Sequence, residues 1–411
     1  MDILPTFARN FLIMKAFTLV QWTIIVILAL LTALEPLSID LYLPAFLLIA
    51  DDFSVPVSAI QTSLTTFLGG FAIGQLFWGP IADRFGRKKP ILISLLIFIL
   101  ASIACIYVKT VEQLWLMRFI QALGGCGGIV ISRAVVTDYF DRTQTLKIFT
   151  ILALIMSVAP IIAPVMGTAI LSSFSWEGIF MTMMLLGVMM LFLTIFFLPE
   201  TNKNPVLSNN NVARSYLEVL KVRQFTFYAL IAGIANGALM VYVANAPFLI
   251  MDYGQLPPNG FTIVFATNAL GLMIASYITT VLQKHLTTRK LVRYALVTMF
   301  FASFVLLGLI WIEASIYAIL GMLFIFIFPI GIIFPATTEL AMSPFTHNSG
   351  TASALFGSIQ LLVAFLCTLV GNFIIDGTVV SVGFAFFSCG LLTMVPILLW
   401  RFRVLLPSFS H

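Results

Sequence analysis

Charge is what this chain has least of. Only 9% of its 411 residues are Asp, Glu, Lys or Arg, against 61% apolar residues and a mean hydropathy of +1.10. A soluble domain carries about a quarter charged residues, and no soluble core could hide this much apolar surface, so the solvent is lipid. Histidine is nearly as scarce: His285, His347 and His411 sit in loops or at the terminus, so a metal site is not expected. The four cysteines (Cys105, Cys126, Cys367 and Cys389) lie singly in apolar runs without CxxC or Cys/His spacing. They read as inert packing residues and carry no information on redox compartment. HExxH and GxSxG are absent, which leaves an intramembrane enzyme without a metal set or a nucleophile–base pair. No enzyme activity and no cofactor are expected. The net charge of +5 is not a nucleic-acid footprint, because the bases lie between apolar runs rather than on one face or tail.

What the chain has instead is twelve apolar runs of about twenty residues, the length that crosses roughly 30 Å of hydrocarbon as helix. Their approximate bounds are 17–46, 57–80, 90–108, 113–137, 146–171, 177–198, 224–250, 259–283, 291–311, 314–338, 350–374 and 380–401. The first is too long, and too closely followed by another, for a cleaved signal peptide. The one sizeable hydrophilic segment, Pro199 to Gln224, separates six runs from six. The expected organisation is an all-α membrane protein with a first half over 1–198, a linker over 199–223 and a second half over 224–411.

Charge sets the orientation. The side holding the termini and linker takes 19 of the 21 bases and seven acids, whereas the opposite side has only Lys109 against seven acids. The positive-inside rule then places both termini and the linker in the cytoplasm. Arg118, Glu35 and Asp40 remain inside spans.

The two acids fall in ALEPLSIDLYLPAF, Ala33 to Phe46. A carboxylate at mid-span costs roughly 2.5 kcal/mol or more, so such acids have a task or a partner. Arg118 lies six residues past Glu112, roughly 9 Å in from the far boundary at 1.5 Å per residue. Asp40 lies four residues before Pro44, at comparable depth, so the two are open to pairing. The alternative for Arg118 is a structural residue that snorkels or binds backbone carbonyls. Glu35 and Asp40 are about 140° apart on a regular helix, and Pro36 between them is able to distort it. Asp40 is the favoured proton- and substrate-linked acid. Glu35 is an auxiliary or cation-binding acid, or else a protonated one hydrogen-bonded to a neighbouring helix.

The loop GPIADRFGRKKPIL, Gly79 to Leu92, is on charge alone a basic turn. Its Gly-x-x-x-Asp-Arg-x-Gly-Arg-Lys pattern resembles the signature loop of the major facilitator superfamily. That resemblance implies two six-helix halves, and an ion-pair latch of Gly79, Asp83, Arg84, Gly86, Arg87 and Lys88 joined by Asp138. The two glycines are expected to permit close approach or positive φ. The homologous loop of the second half, Gln283 to Arg293, keeps the bases but lacks the Asp and both Gly, as in a degraded repeat. RFIQALG (Arg118 to Gly124) is similar to the fourth-span motif of that superfamily. SVAPIIAPVMG (Ser157 to Gly167) is similar to its antiporter motif, through Pro160, Ala163, Pro164 and Gly167; ordinary small-residue packing is the other reading of that stretch. LPET, SIDLYLPA, SRAVVTDYF and SGTASALFGSIQ together resemble the Bcr/CflA group of drug:proton antiporters.

The resemblance implies proton-coupled efflux of small lipophilic or cationic compounds by alternating access, with a dedicated metabolite or siderophore exporter or a proton-coupled importer as alternatives. A channel or receptor would not explain two halves with a signature loop. The expected setting is the bacterial cytoplasmic membrane. The expected partners are a small-molecule substrate, protons and the bilayer, with no nucleic acid and a monomeric chain. An apolar, aromatic cavity with a few amides suits varied ligands; its candidate lining is Tyr42, Phe67, Asn236, Met240, Tyr242, Asn245 and Gln360.

Overall fold

A computed structural model describes residues 17–202, 212–345 and 349–401. The chain ends and 203–211 of the linker lie outside the described residues, as do 346–348 before SGTASALFGSIQ. Twelve described helices are long and apolar enough to cross a membrane. Helices are the outcome because lipid offers the backbone no partner, so each span must satisfy its own N–H and C=O groups.

In chain order the spans are α1 (Leu19–Asp40), α2 (Val57–Phe85), α3 (Lys88–Ile106), α4 (Val111–Tyr139), α5 (Arg142–Leu171) and α6 (Glu177–Phe197). They continue as α7 (Arg223–Pro247), α8 (Pro258–Leu282), α9 (Thr288–Trp311), α10 (Ile316–Met342), α11 (Ser349–Ile374) and α12 (Val379–Arg401), with a short linker helix at Val212–Leu220. Thr18 caps α1 through a reciprocal bond with Gln21, and Thr110 caps α4 by accepting from the Gln113 N–H.

The first span departs from its expected form. It is not interrupted at Pro36, which is buried inside a continuous helix. The regular helix ends instead at Asp40, gives way to a 3-10 turn at Leu43–Ala45, and resumes as Phe46–Asp52. Pro44 explains the position, since it cannot donate to the preceding turn.

The helices pack as two groups of six. In the first, α2 packs on α4, α3 on α4 and α6, and α1 on α4 and α5. The same pairings recur six helices later: α8 on α10, α9 on α10 and α12, and α7 on α10 and α11. The groups meet chiefly along α2–α11 and α5–α8. On the side away from the linker this seam is tied by polar bonds. Asn372 Nδ2 donates to Thr65 Oγ1 (3.0 Å) and Thr62 Oγ1 (3.3 Å), and the hydroxyls of Thr168 and Thr262 meet at 3.0 Å.

Toward the linker side the interior opens. Along one face of α4, Cys126 is buried, Val130 half-buried, and Arg133 and Thr137 exposed. That face looks at the other half rather than at lipid, because a methyl placed on Gly357 of α11 would stand 3.7 Å from Arg133 Nη1.

Candidate functional site

The break in α1 builds the centre of the first half. A helix end leaves carbonyls of its last turn without intrahelical partners, and Ser38 O is taken by Arg118 Nη2 at 2.9 Å. Arg118 Nη1 donates to Gln121 Oε1 (2.5 Å), and Gln121 Nε2 in turn donates to Ser102 Oγ (2.7 Å). The guanidinium lies over the rings of Phe67 (4.3 Å), Tyr42 (4.7 Å) and Phe180 (5.9 Å). Arg118 is 0% exposed, so these cation–π contacts act in a desolvated site where each is worth up to about 2 kcal/mol. The Tyr42 hydroxyl meets Ser63 Oγ at 2.9 Å.

The expected Arg118–Asp40 pair is not formed in this state. The depth estimate is sound, since Arg118 reaches the backbone two residues from Asp40. The guanidinium is satisfied by the freed carbonyl, an amide and three ring faces instead, which is the carbonyl-binding alternative. Its buried Nε has no hydrogen-bond partner among the described residues.

Asp40 is 4% exposed, within electrostatic reach of Glu35 on its own helix and of Tyr242 on α7. Glu35 is half-buried and faces Arg133 of α4 across the interior. The two acids therefore share one interior despite a regular helix between them. Arg133 was not among the expected intramembrane charges, being counted with the linker-side bases. It stands six residues inside the end of α4. Its signal was the i, i+3, i+7 phase of Val130, Arg133 and Thr137, which places it on the open face.

The signature loop assembles most of its expected cluster. Arg87 Nη1 meets Asp83 Oδ1 at 2.5 Å and Arg87 Nε meets Asp138 Oδ2 at 2.7 Å. Burial pulls the Arg87 guanidinium down, but hydrogen bonds and charges from Asp138 and Asp83 reverse this and hold it above the ordinary arginine value. Lys88 Nζ donates to Ile195 O at 2.7 Å, whereas Arg84 lies over the Phe85 ring at 5.3 Å, away from the carboxylates. The missed member is Glu200 of LPET. It accepts from the backbone N–H groups of Arg87 (2.8 Å), Lys88 (3.1 Å) and Asn202 (3.0 Å). Gly86 has φ +89°, and a methyl on it would stand 2.6 Å from Glu200 Oε2. Gly79 has no such constraint, its nearest atom being Val130 Cγ1 at 3.9 Å, so the expected close approach belongs to Gly86 alone. In the second half Glu339 stands where Asp138 stands in the first, and is bonded by Gln283 (2.5 Å) and Thr288 (3.3 Å) in place of an arginine.

The antiporter-like stretch packs on the break in α1. Pro160 and Pro164 lie inside continuous α5, and Ala163 is fully buried. A methyl on Gly167 would collide with the Leu41 carbonyl oxygen and stand 3.2 Å from Pro44 Cγ, so glycine is what admits the broken turn beside Asp40.

The seven candidate lining residues separate. Tyr42, Phe67, Tyr242 and Asn245 are buried, with the Tyr242 hydroxyl accepting from Asn268 Nδ2 (2.9 Å) and Asn245 Nδ2 donating to Val241 O (2.8 Å). Asn236, Met240 and Gln360 are half-buried, and Asn236 Nδ2 donates to Gln360 O at 3.3 Å. In this state the first four are packed away and the last three remain partly accessible.

Comparison with known proteins fits this geometry. The family description "Major Facilitator Superfamily" matches residues 28–368. The chain is 36% identical over 351 residues to the uncharacterized MFS-type transporter YdgK of Bacillus subtilis, covering 84% of this chain and 87% of that protein. It is 30% identical over 357 residues to a bicyclomycin resistance protein homolog of Haemophilus influenzae, covering 86% and 89%. Among solved structures, a D-xylose–proton symporter superposes with a TM-score of 0.77 at 13% identity, covering 94% of this chain and 98% of that one, a likeness of fold alone.

Proposed function

Since this chain belongs to the major facilitator superfamily, a family of small-molecule transporters, we propose that it is a proton-coupled exporter of small lipophilic or cationic compounds. Multidrug and bicyclomycin-resistance relatives support the substrate class. The linker side is then cytoplasmic, consistent with its excess of Lys and Arg, and the membrane is the bacterial inner membrane.

The observation that carries this reading is the difference between the two acids of α1. Asp40 is 4% exposed behind a tied far side, while Glu35 is half-buried in an interior open to the linker. An exchanger needs a group that meets substrate and proton in turn, with only one side of the membrane connected at a time. Substrate enters from the linker side past Thr137 and Arg133 and meets Asn236, Met240 and Gln360. Reorientation loosens the far-side ties and opens Asp40 to that side. There a proton displaces the substrate, and deprotonation on the linker side resets the site. Arg118 is the fixed cation of the cycle; its unfilled Nε is the donor that Asp40 takes when the helices shift. The Arg87–Asp83–Asp138 cluster, with Glu200 beneath it, holds the ends of α2, α3 and α4 as one body during that movement.

Reconstituted protein tests it. A gradient acidic on the far side should drive uptake of an ethidium-type cation into inside-out proteoliposomes, and Asp40→Asn should remove that uptake while the protein still elutes as a single folded species. Transport indifferent to the gradient, or wild-type transport by Asp40→Asn, would overturn it.

A further inference from the structure

Arg133 borders the entry path but has no assigned task in that cycle, and its surroundings are unusual for an arginine at this depth. It lies six residues inside α4, is exposed to the interior, and makes no hydrogen bond or ion pair with any described residue. Glu35, the acid it faces, is likewise without a direct partner, although the two interact electrostatically. Both groups therefore face the interior without a direct bond between them. Around the guanidinium the wall is polar and close: a methyl on Gly357 would stand 3.3 Å from Gln75 Oε1 and 3.7 Å from Arg133 Nη1, and Ser358 Oγ donates to Gln75 Oε1 at 3.4 Å.

We propose that Arg133 and Glu35 form a two-pole subsite for a zwitterionic ligand at the linker-side mouth of the cavity. Arg133, beside Gln75 and Ser358, takes a carboxylate, and Glu35 takes an ammonium. The argument is one of stranded charge. With the mouth open, water solvates both groups. When the halves close over them the water leaves, and a bare guanidinium and a bare carboxylate in a dry interior are each costly. A ligand carrying both signs neutralises both poles at once and leaves its apolar body for the half-buried surface of Met240. A purely cationic ligand satisfies Glu35 but leaves Arg133 bare, and an anion does the reverse. The guanidinium fork is suited to a carboxylate, which it grips through two parallel N–H donors. With no ligand the two poles can close on each other, so an empty carrier also returns without stranding charge. This subsite rests on the transport reading but not on its proton coupling, and equilibrium binding separates the two.

Three probes with one indole body test it: tryptophan (zwitterion), tryptamine (cation) and indole-3-propionate (anion), measured by scintillation proximity on purified full-length protein at neutral pH without a gradient. Tryptophan should bind best. Arg133→Gln should weaken tryptophan by about tenfold or more, the loss expected for one charge-assisted contact, and leave tryptamine within about twofold. Glu35→Gln should weaken tryptophan and tryptamine but not indole-3-propionate. Gly357→Val, which crowds the guanidinium without changing charge, should weaken tryptophan and indole-3-propionate together. Each variant is compared by elution volume and melting temperature. No preference for the zwitterion in the wild type, including no binding by any probe, would overturn the proposal. So would Arg133→Gln lowering all three equally, since that describes a pair serving closure alone.

Discussion

Asn372 of α11 donates to Thr65 of α2 at 3.0 Å and to Thr62 at 3.3 Å, tying the two halves at the end remote from the linker. Six helices away in the repeat, Thr168 of α5 and Thr262 of α8 do the same at 3.0 Å. Side-chain hydrogen bonds between membrane helices average about 0.6 kcal/mol, so these bonds bias the equilibrium without locking it. Asn372→Ala combined with Thr168→Val should shift the population toward the linker-closed state by roughly five- to tenfold, taking about 1–1.4 kcal/mol for the two ties. Spin labels across the far-side ends of α2 and α11 should report a longer distance in the double variant. An unchanged distance distribution would show that apolar contact holds the seam.

The two glycines of the signature loop should behave oppositely. Gly86 has φ +89° and faces Glu200, so Gly86→Ala meets both backbone strain and a collision. A side chain held in left-handed backbone costs roughly 1–2 kcal/mol before the displaced carboxylate is considered. Gly79 is helical with open space before it, and Gly79→Ala should be neutral or gain up to about 1 kcal/mol from helix propensity. Melting temperatures of the two variants in one detergent decide it. Equal destabilisation would contradict the assignment of the tight approach to Gly86.

Glu200 supplies a pH-dependent contact outside the membrane. Burial pushes its carboxyl up, but N–H groups of Arg87, Asn202, Lys88 and Thr201 together hold it below the usual glutamate value. For an acid whose folded value is depressed, the contribution is complete above the unfolded value and is lost as pH falls through the folded one. The contact between Glu200 and the signature loop should therefore persist through mildly acidic pH and fail only below the ordinary carboxylate range. Fluorescence quenching between labels near Gly86 and Asn202 should stay flat from neutral pH down to about pH 5 and change below it. Glu200→Gln should abolish that acid transition, and a transition near neutrality would contradict this account.

The spans were legible in the sequence, whereas the seam between the halves was not. Twelve apolar runs follow from the cost of bare backbone in lipid, so their count needs only composition. The shape of α1 needed more: Pro36 and Pro44 look alike as breakers, yet only the turn at Pro44 coincides with the end of regular helix. Arg118 and Asp40 could be placed at one depth by helix rise, but rise does not say that a freed Ser38 carbonyl competes for the guanidinium. Arg133 is not legible as an interior charge because a loop count assigns a base near a helix end to the aqueous side. Its helical phase with Val130 and Thr137 was visible, but the opposing Gly357 lies more than two hundred residues on. Glu200 belongs to LPET, and nothing local tells that it caps the loop after α2.

Arg118 offers the sharpest separation of charge from shape. Lysine at this position keeps the cation yet lacks the planar fork that bonds Gln121 Oε1 and Ser38 O at once while its face lies over Phe67 at 4.3 Å. If Arg118 acts only as a positive charge opposite Asp40, Arg118→Lys should transport nearly normally. If it also holds the broken end of α1 in place, Arg118→Lys should lose one of its two hydrogen bonds and part of the ring contact. At about 0.5–2 kcal/mol each, those losses should lower the melting temperature measurably and cut gradient-driven turnover by an order of magnitude or more. Gln121→Leu provides the independent arm, since it removes the Arg118–Gln121–Ser102 chain without touching charge. It should destabilise the same region and reduce turnover without altering the dependence on the proton gradient. Full activity in both variants would reduce Arg118 to a point charge.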